Sequence, residues 1–187
     1  NDFMSIGVHR YWKKSLINMM NPRPNRKLID VACGTGDIGK LFLDSTSKEN
    51  KIICVDPNKG MVNQGKKKLS KYKNIKWVIS PAEKLPFDDD SFDAYTIAFG
   101  IRNVTNINNA LSEANRVLKR GGRFLCLEFS RVENDVLRQV YDTYSFNVIP
   151  KVGEMVTKDR ESYQYLVESI RKFPNQNKFE TMIQNAG

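Results

Sequence analysis

A short stretch near the amino terminus combines glycines with acidic side chains. The segment VACGTGDIGK (residues 31–40) has the spacing Gly-x-Gly-x-x-Gly, which allows a tight turn and a close backbone approach to a ligand where a helix begins. Asp30 directly precedes this segment, and Asp37 directly follows its second glycine. Two carboxylates there would repel a pyrophosphate. They favour a ligand that carries an ammonium and a sulfonium, which predicts S-adenosylmethionine.

A third acid follows the next apolar segment of the chain. Asp56 lies 20 residues after Gly36, where an acid can accept hydrogen bonds from both hydroxyls of a ribose. A nicotinamide cofactor offers the same ribose, so Asp56 does not discriminate, whereas Asp30 and Asp37 argue against a nicotinamide-dependent oxidoreductase. Asp37 has an alternative role as a helix cap, because aspartate is favourable at a helix N-terminus.

The elements that would position these acids alternate between apolar strands and amphipathic helices. The predicted strands are residues 27–32, 51–56, 75–80, 93–99 and 123–129. The predicted helices are residues 37–44, 60–70, 108–119, 161–173 and 177–185. Gly121 and Gly122 are expected to end the third of these helices. This alternation predicts an α/β fold with a mostly parallel sheet.

Length and composition favour one globular domain with an anionic partner. The 187 residues are enough for a sizeable core, and 40% of them are hydrophobic. The net charge of +9 suits nucleic acid or an anionic membrane, although many lysines fall in one run at residues 65–73 that could simply be solvated. Three widely spaced cysteines show no metal-binding pairing, so we expect no metal site and a reducing compartment.

Several longer segments carry a resemblance to a known family. They are NDFMSIGVHRYWK (1–13), AEKLPFDDDSFD (82–93), FGIRNV (99–104), RVLKRGGRFLCLEFS (116–130), YDTYSFNVIPKVG (141–153) and SYQYLVESIRKFP (162–174). With them the chain resembles, over residues 1–187, the ubiquinone/menaquinone biosynthesis C-methyltransferase family of class I S-adenosylmethionine-dependent methyltransferases. The resemblance implies a Rossmann-like three-layer sandwich in a single methyltransferase domain over residues 1–187. It also leads us to expect that both ends are truncated and that C-terminal strands are missing.

The resemblance further implies a reaction and a cofactor site. The reaction is C-methylation of a polyprenyl hydroquinone ring, either a 2-polyprenyl-6-methoxy-1,4-benzoquinol, a demethylmenaquinol or both. The residues carried over as cofactor-binding are Asp30, Gly34, Thr35, Gly36, Asp56, Pro57, Pro81, Ala82 and Ala98. Met61 is equally compatible with this site and with the core.

The same resemblance places the catalytic groups in the segment FGIRNV. Arg102 is expected to stabilise a phenolate, because a guanidinium is always protonated and donates several hydrogen bonds. Asn103 is expected to orient the ring or an ordered water. A surface salt bridge is the alternative role for Arg102. His9 is the one histidine of the sequence, and it either packs in the amino-terminal segment or touches the quinol.

The expected partners follow from an apolar substrate. Tyr141, Tyr144, Phe146 and Ile149 would line the route of the ring and tail, unless they are core residues. Contact with an anionic membrane or with a quinone-biosynthesis complex is expected, and a homodimer stays open. The setting would be the matrix side of the mitochondrial inner membrane, or the cytoplasmic face of a bacterial membrane.

Two other functions stay open. A nucleic-acid methyltransferase would suit the basic charge, but amino-group enzymes of that kind usually carry Asn/Asp-Pro-Pro-aromatic where this chain reads AFGIRN. Cytosine C5 enzymes need a nucleophilic cysteine near that position, and none is present. We therefore expect no nucleic-acid partner. The second alternative is a non-catalytic scaffold that binds S-adenosylmethionine within a quinone-biosynthesis complex.

Overall fold

Strands and helices alternate along the chain as the sequence predicts. The computed structural model describes residues 8–46, 50–130 and 160–187. Its elements are α1 (Val8–Met20), β1 (Lys27–Val31), α2 (Asp37–Asp44), β2 (Lys51–Val55), α3 (Lys59–Lys68), β3 (Ile75–Val78), β4 (Phe92–Ala98), a 3₁₀ turn (Ile101–Asn103), α4 (Ile107–Val117), β5 (Leu118–Leu127), α5 (Arg160–Lys172) and α6 (Gln176–Ala186).

The five strands form one parallel sheet in the order β3-β2-β1-β4-β5. The strand order reverses between β1 and β4. Because crossovers between parallel strands are right-handed, this reversal puts α2 and α3 on one face of the sheet and α4 on the other. The result is the three-layer α/β sandwich of the Rossmann type, so the predicted fold class is confirmed.

The central strands are buried because helices cover both faces of the sheet. β1 and β2 read as nearly continuous apolar runs, as expected for parallel strands that are covered on both sides. Leu28 and Ile52 are fully buried, and Phe42 of α2 packs into the same core. Each such side chain contributes about 1.5–3 kcal/mol by its burial. This rigid centre fixes the positions at which the loops leave the sheet.

The predicted end of α4 and the predicted start of β5, at residues 119 and 123, are both wrong. α4 ends at Val117, and β5 begins at Leu118, which pairs with Phe92 of β4. The register then shifts, and Gly121 and Gly122 lie in this irregular part of β5 instead of ending the helix. The backbone leaves the helix early because it pairs with the neighbouring strand, and Gly121 (φ 74°) lets it bend there. The other predicted boundaries differ from the observed ones by at most two residues.

The chain divides into two compact units, one of residues 1–128 with 185–187 and one of residues 129–184. In the described part of the second unit, Val167 and Ile170 of α5 are buried, and the rings of Phe173 and Phe179 lie 5.0 Å apart. The expectation of a single domain stays a prediction. None of the described helices combines the length and the apolar character needed to cross a bilayer.

Candidate cofactor and active site

A cavity of about 610 Å³ lies at the carboxyl ends of the strands, where the strand order reverses between β1 and β4. In open α/β sheets, ligands bind in this crevice, and the volume is in the usual range for small-molecule sites. The predicted site residues that line it are Asp30, Gly34, Thr35, Asp56, Pro57, Pro81, Ala82, Ala98 and Asn103. Met61, which was left open, also lines the cavity and is 39% exposed, so it is not a core residue.

The glycine loop between β1 and α2 depends on left-handed backbone. Gly34 (φ 57°) lines the cavity, and Gly36 (φ 82°) precedes the first residue of α2. A Cβ on Gly36 would lie 2.6 Å from the ring of Trp77. Gly36 itself does not line the cavity, so it shapes the loop that brings Gly34 and Thr35 there.

Asp56 holds this loop in place. It follows β2 and is buried, and its Oδ2 accepts a hydrogen bond of 2.8 Å from the backbone N–H of Gly34. Its Oδ1 accepts a second hydrogen bond of 2.9 Å from the N–H of Asn58. A carboxylate oxygen can accept more than one hydrogen bond, so these contacts are compatible with the predicted role on a ribose.

Asp30 is the acid best placed to meet a positively charged group. It is 1% exposed, and its Oδ1 accepts a hydrogen bond of 2.8 Å from the Thr96 hydroxyl. Its Oδ2 is buried without a hydrogen-bond partner among the described residues. Burial raises the pKa of Asp30 to about 7, although the Thr96 hydrogen bond lowers it. An unsatisfied buried acceptor is costly, so the cavity fits a cofactor that brings a cationic donor to Asp30, as S-adenosylmethionine does.

Asp37 plays a different part from the one its position in the sequence suggests. Its carboxylate forms ion pairs with Lys13 of α1 at 2.8 Å and with Lys68 of α3 at 2.7 Å. Burial alone would raise the pKa of Asp37, but the hydrogen bonds from both lysines outweigh it and hold the pKa at about 2. Two cations therefore compensate this charge, and the attraction for a cationic ligand comes from Asp30.

Arg102 lies beside the cavity and is not among the residues that line it. Its Nη1 donates to Oε1 of Glu128 at 2.5 Å, and the two side chains are 10% and 4% exposed. The contact is therefore a buried ion pair and not a surface salt bridge. Asn103, the next residue, does line the cavity. The catalytic roles predicted for both residues stay predictions.

Several residues at the cavity were not predicted. They are Lys13, Ala32, Cys33, Ile38, Asn58, Glu83, Phe99, Gly100, Val104 and Thr105. Glu83 directly follows Ala82 in the segment AEKLPF, so its neighbour could have indicated it. Its Oε1 accepts hydrogen bonds from the N–H groups of Thr105 at 2.9 Å and Asn106 at 3.1 Å. It thus joins two loops of the site.

The cysteine at the cavity is not set up as a nucleophile. A hydrogen bond with Cys54, and then burial, raise the pKa of the Cys33 thiol far above its ordinary value, so it stays protonated.

Within residues 8–46, 50–130 and 160–187, no group of His, Cys, Asp and Glu side chains is arranged to hold a metal ion. His9 is buried and does not line the cavity. The predicted substrate route at Tyr141, Tyr144, Phe146 and Ile149 lies outside the described residues.

A second cavity of about 230 Å³ lies at the opposite edge of the sheet, near the first residues of β1 and β4. Arg23, Arg26 and Arg123 line it together with Asp93. Asp93 accepts from Arg26 at 3.0 Å, and Arg123 donates to the carbonyl of Met20 at 3.0 Å. These contacts join the start of β4, and also β5, to the residues that precede β1.

The reversed sheet order, the glycine loop and the buried acid at the switch point define a class I S-adenosylmethionine-dependent methyltransferase. The ubiE/COQ5 methyltransferase family matches residues 1–187. The chain belongs to this family, which confirms the resemblance described from the sequence.

A relative of known name supports this assignment, and two solved structures share the fold. The mitochondrial 2-methoxy-6-polyprenyl-1,4-benzoquinol methylase of Oryza sativa subsp. japonica is 53% identical to this chain. The alignment, 207 positions long, covers 100% of this chain and 70% of that protein. A crystal structure from Bacillus halodurans C-125 is 24% identical, with a TM-score of 0.71 over 94% of this chain and 68% of that one. A SAM dependent methyltransferase from Aquifex aeolicus is 22% identical, with a TM-score of 0.60 over 66% of each chain. The two structures show the fold.

Proposed function

We propose that the chain transfers a methyl group to a ring carbon of a 2-methoxy-6-polyprenyl-1,4-benzoquinol in ubiquinone biosynthesis. The observation that carries this proposal is the 53% identity, over the whole chain, with a relative named for that substrate. The cavity supports it, because Asp30 suits the cationic cofactor and Asn103 faces the same space. A demethylmenaquinol is the second acceptor within the same chemistry.

Different residues of the chain have different roles in methyl transfer at this cavity. S-Adenosylmethionine, when bound, supplies an electrophilic methyl group on a sulfonium. The acceptor carbon becomes nucleophilic when a ring hydroxyl ionises, and a free phenol has a pKa of about 10. We assign phenolate stabilisation to Arg102, which lies beside the cavity and acts on the ring hydroxyl through an ordered water, and orientation of the ring to Asn103. The hydrogen on the methylated ring carbon then leaves as a proton to solvent water, which restores the aromatic ring.

A direct assay tests this function. The chain is incubated with S-adenosylmethionine and a short-chain 2-methoxy-6-prenyl hydroquinone kept reduced, and mass spectrometry follows the methylated ring. The matching demethylnaphthoquinol is assayed in parallel to separate the two acceptors. Arg102→Ala is expected to lower kcat by roughly 100-fold while calorimetry shows cofactor binding within about twofold of the parent. Equal losses of turnover and cofactor binding would contradict the role of Arg102.

The same assay decides between the enzyme and its alternatives. If the chain binds S-adenosylmethionine and methylates neither quinol, the non-catalytic scaffold gains support. A gel shift with RNA tests the nucleic-acid alternative, for which we expect no complex at physiological salt.

We also propose that the protein works at the matrix side of the mitochondrial inner membrane. A mitochondrial setting is supported by the name of the rice relative. Lys66, Lys67 and Lys71 are exposed, and the net charge of +9 favours an anionic surface. Co-sedimentation with vesicles that contain anionic lipid should fall at high salt, while salt-independent binding would count against this contact.

A homodimer and a quinone-biosynthesis complex are further proposals, which light scattering and co-purification test.

A further inference from the structure

The segment that follows β4 brings several residues to the cavity. We call residues 100–106 the β4 turn. Asn103 and Thr105 of this turn line the cavity, and Ile101 is 2% exposed, so its side chain anchors the turn in the core. The N–H of Asn103 donates to the carbonyl of Gly100 at 3.0 Å and closes the 3₁₀ turn. The position of this backbone therefore sets where Asn103 meets a bound ring.

The two ends of the β4 turn are fixed by contacts with other loops and strands. Directly before it, the N–H of Phe99 donates to the carbonyl of Leu127 in β5 at 2.7 Å. At its end, the Glu83 carboxylate accepts from the N–H groups of Thr105 and Asn106. A further contact is made in the middle of the turn, at Arg102.

Glu128 supplies that contact. It directly follows the last residue of β5, next to β4 in the sheet. Its Oε1 accepts from Nη1 of Arg102 at 2.5 Å, and its Oε2 accepts a longer contact of 3.4 Å from the backbone N–H of Arg102. One buried carboxylate thus contacts both the guanidinium and the backbone of the same residue. A buried ion pair of this kind is weak evidence for a purely stabilising role, because desolvation offsets much of its attraction.

We propose that Glu128 is a positioning residue for methyl transfer. It holds Arg102 and the middle of the β4 turn, and so fixes the place at which Asn103 meets the acceptor ring. This inference rests on the proposed function. Catalysis is sensitive to such placement, because a displacement of about 1 Å can cost roughly 100-fold in rate. Glu128 does not touch the cavity itself, so its effect passes through Arg102.

A matched control exists elsewhere in the chain. Glu113 of α4 accepts from Nε of Arg116 at 2.6 Å and from the backbone N–H of Leu85 at 2.6 Å. It therefore makes the same pair of contacts as Glu128, to an arginine and to a backbone N–H, but it does not line the cavity. Glu128→Gln and Glu113→Gln remove one charge each and keep the side-chain shape.

The experiment compares the two variants in the full chain. Glu128→Gln should lower kcat at least about tenfold, with the affinity for S-adenosylmethionine within about twofold of the parent, and Glu113→Gln should leave kcat within about twofold. Hydrogen exchange of the Asn103 and Val104 amides, measured by NMR without substrate, should accelerate about tenfold in Glu128→Gln only. The inference is wrong if Glu128→Gln keeps its kcat, raises it, or loses no more than the control.

A double variant separates positioning from general destabilisation. If Glu128 acts through Arg102, Arg102→Met with Glu128→Gln should have the kcat of Arg102→Met alone, whereas additive losses would overturn the inference. A parent chain that binds the cofactor and methylates neither quinol would instead refute the proposed function. Amide exchange then decides the role of Glu128, and unchanged exchange at Asn103 in Glu128→Gln would refute it.

Discussion

The two cavities, at the carboxyl ends and at the amino ends of the same parallel strands, are lined by different charged side chains. We call these two sides of the sheet the carboxyl edge and the amino edge. At the carboxyl edge, Asp30 and Asp56 lie on the large cavity. At the amino edge, arginines surround the smaller cavity, and Asp93 is the one acid that lines it among the described residues. Parallel strands bring all their carboxyl ends to one side, so the acids near the ends of β1 and β2 meet at one cavity. We expect the carboxyl edge to control binding and the amino edge to control stability.

The largest effect should come from the glycine loop. In Gly36→Ala the new Cβ would meet Trp77 at 2.6 Å, and the residue would also hold φ 82°. We expect a loss of affinity for S-adenosylmethionine of roughly 100-fold, because strain of this kind costs about 1–3 kcal/mol and the collision adds to it. Isothermal titration calorimetry measures it.

The control for this change lies at the other edge. Gly121 (φ 74°) has no heavy atom within 4 Å of the position that a Cβ would take. Gly121→Ala carries similar backbone strain, about 1–2 kcal/mol, without a collision. It should lower the free energy of unfolding and leave cofactor affinity unchanged. If Gly36→Ala and Gly121→Ala lost comparable affinity, the expectation that only the carboxyl edge controls cofactor binding would be wrong.

The second effect is a pH dependence at Asp30. Its pKa is about 7 in the folded chain, against an ordinary value of 3.8, so the folded state holds a proton that the unfolded state has lost between about pH 4 and 7. Stability without ligand should therefore decrease as the pH rises through this window. Cofactor affinity should change in the opposite sense and increase roughly fivefold from pH 6 to 7, where an α-ammonium is still mostly protonated and favours the ionised carboxylate.

Asp30→Asn tests both trends at once. The variant should bind S-adenosylmethionine about tenfold more weakly at pH 8 and should lose most of the pH dependence of binding and of stability. Calorimetry at several pH values and urea unfolding measure the two quantities. A parent chain whose affinity is flat from pH 6 to 7 would show that a group other than Asp30 binds the positive charge of the cofactor.

A smaller effect is expected from Asp93 at the amino edge. Burial raises its pKa, but hydrogen bonds from the Lys27 N–H and from Lys119 and Arg26 lower it below the ordinary value. Its ionised form therefore stabilises the fold above about pH 4, and this contribution is lost as the pH falls below that. Asp93→Asn should cost about 1–2 kcal/mol in urea unfolding at pH 7, with the difference shrinking toward pH 3. A change in cofactor affinity beyond about threefold would contradict the division between the edges.

The smallest effect is expected on the solvent face of α2. Lys40 and Asp44 form an exposed i,i+4 pair on the helix that begins at the glycine loop. Such pairs contribute at most about 0.5 kcal/mol. Lys40→Ala should therefore stay within that limit in thermal unfolding and should bind the cofactor normally. A larger loss of affinity would mean that α2 itself, and not only its first residues, controls the site.

The sequence predicts the parts of the site that depend on neighbouring residues. The glycine loop, Asp30 before it and Asp56 after β2 follow from local spacing, and the structure brings them to one cavity. The helix that was expected to continue to residue 119 shows the limit of local patterns. Leu118 leaves it because Phe92, a residue far away in sequence, pairs with it.

The partners of Asp37 and Arg102 could not be predicted for the same reason. Lys13 and Lys68 reach Asp37 from two different helices, and Glu128 reaches Arg102 from the position that follows β5. These contacts depend on the strand order and on how the helices pack, which no short window of the sequence encodes. Burial of Asp30 is also a property of the assembled sheet, so its raised pKa is visible only in the fold.

The packing of Trp77 has a practical consequence. The ring of Trp77 lies against Gly36 in the glycine loop and against Gly65 of α3. A Cβ on Gly65 would come within 2.3 Å of that ring. The chain has two tryptophans, so Trp12→Phe leaves Trp77 as the single indole emitter. Any rearrangement of the loop alters the surroundings of that indole, and its fluorescence becomes an optical reporter of loop motion that needs no attached dye. Stopped-flow mixing could then time ligand entry separately from chemistry.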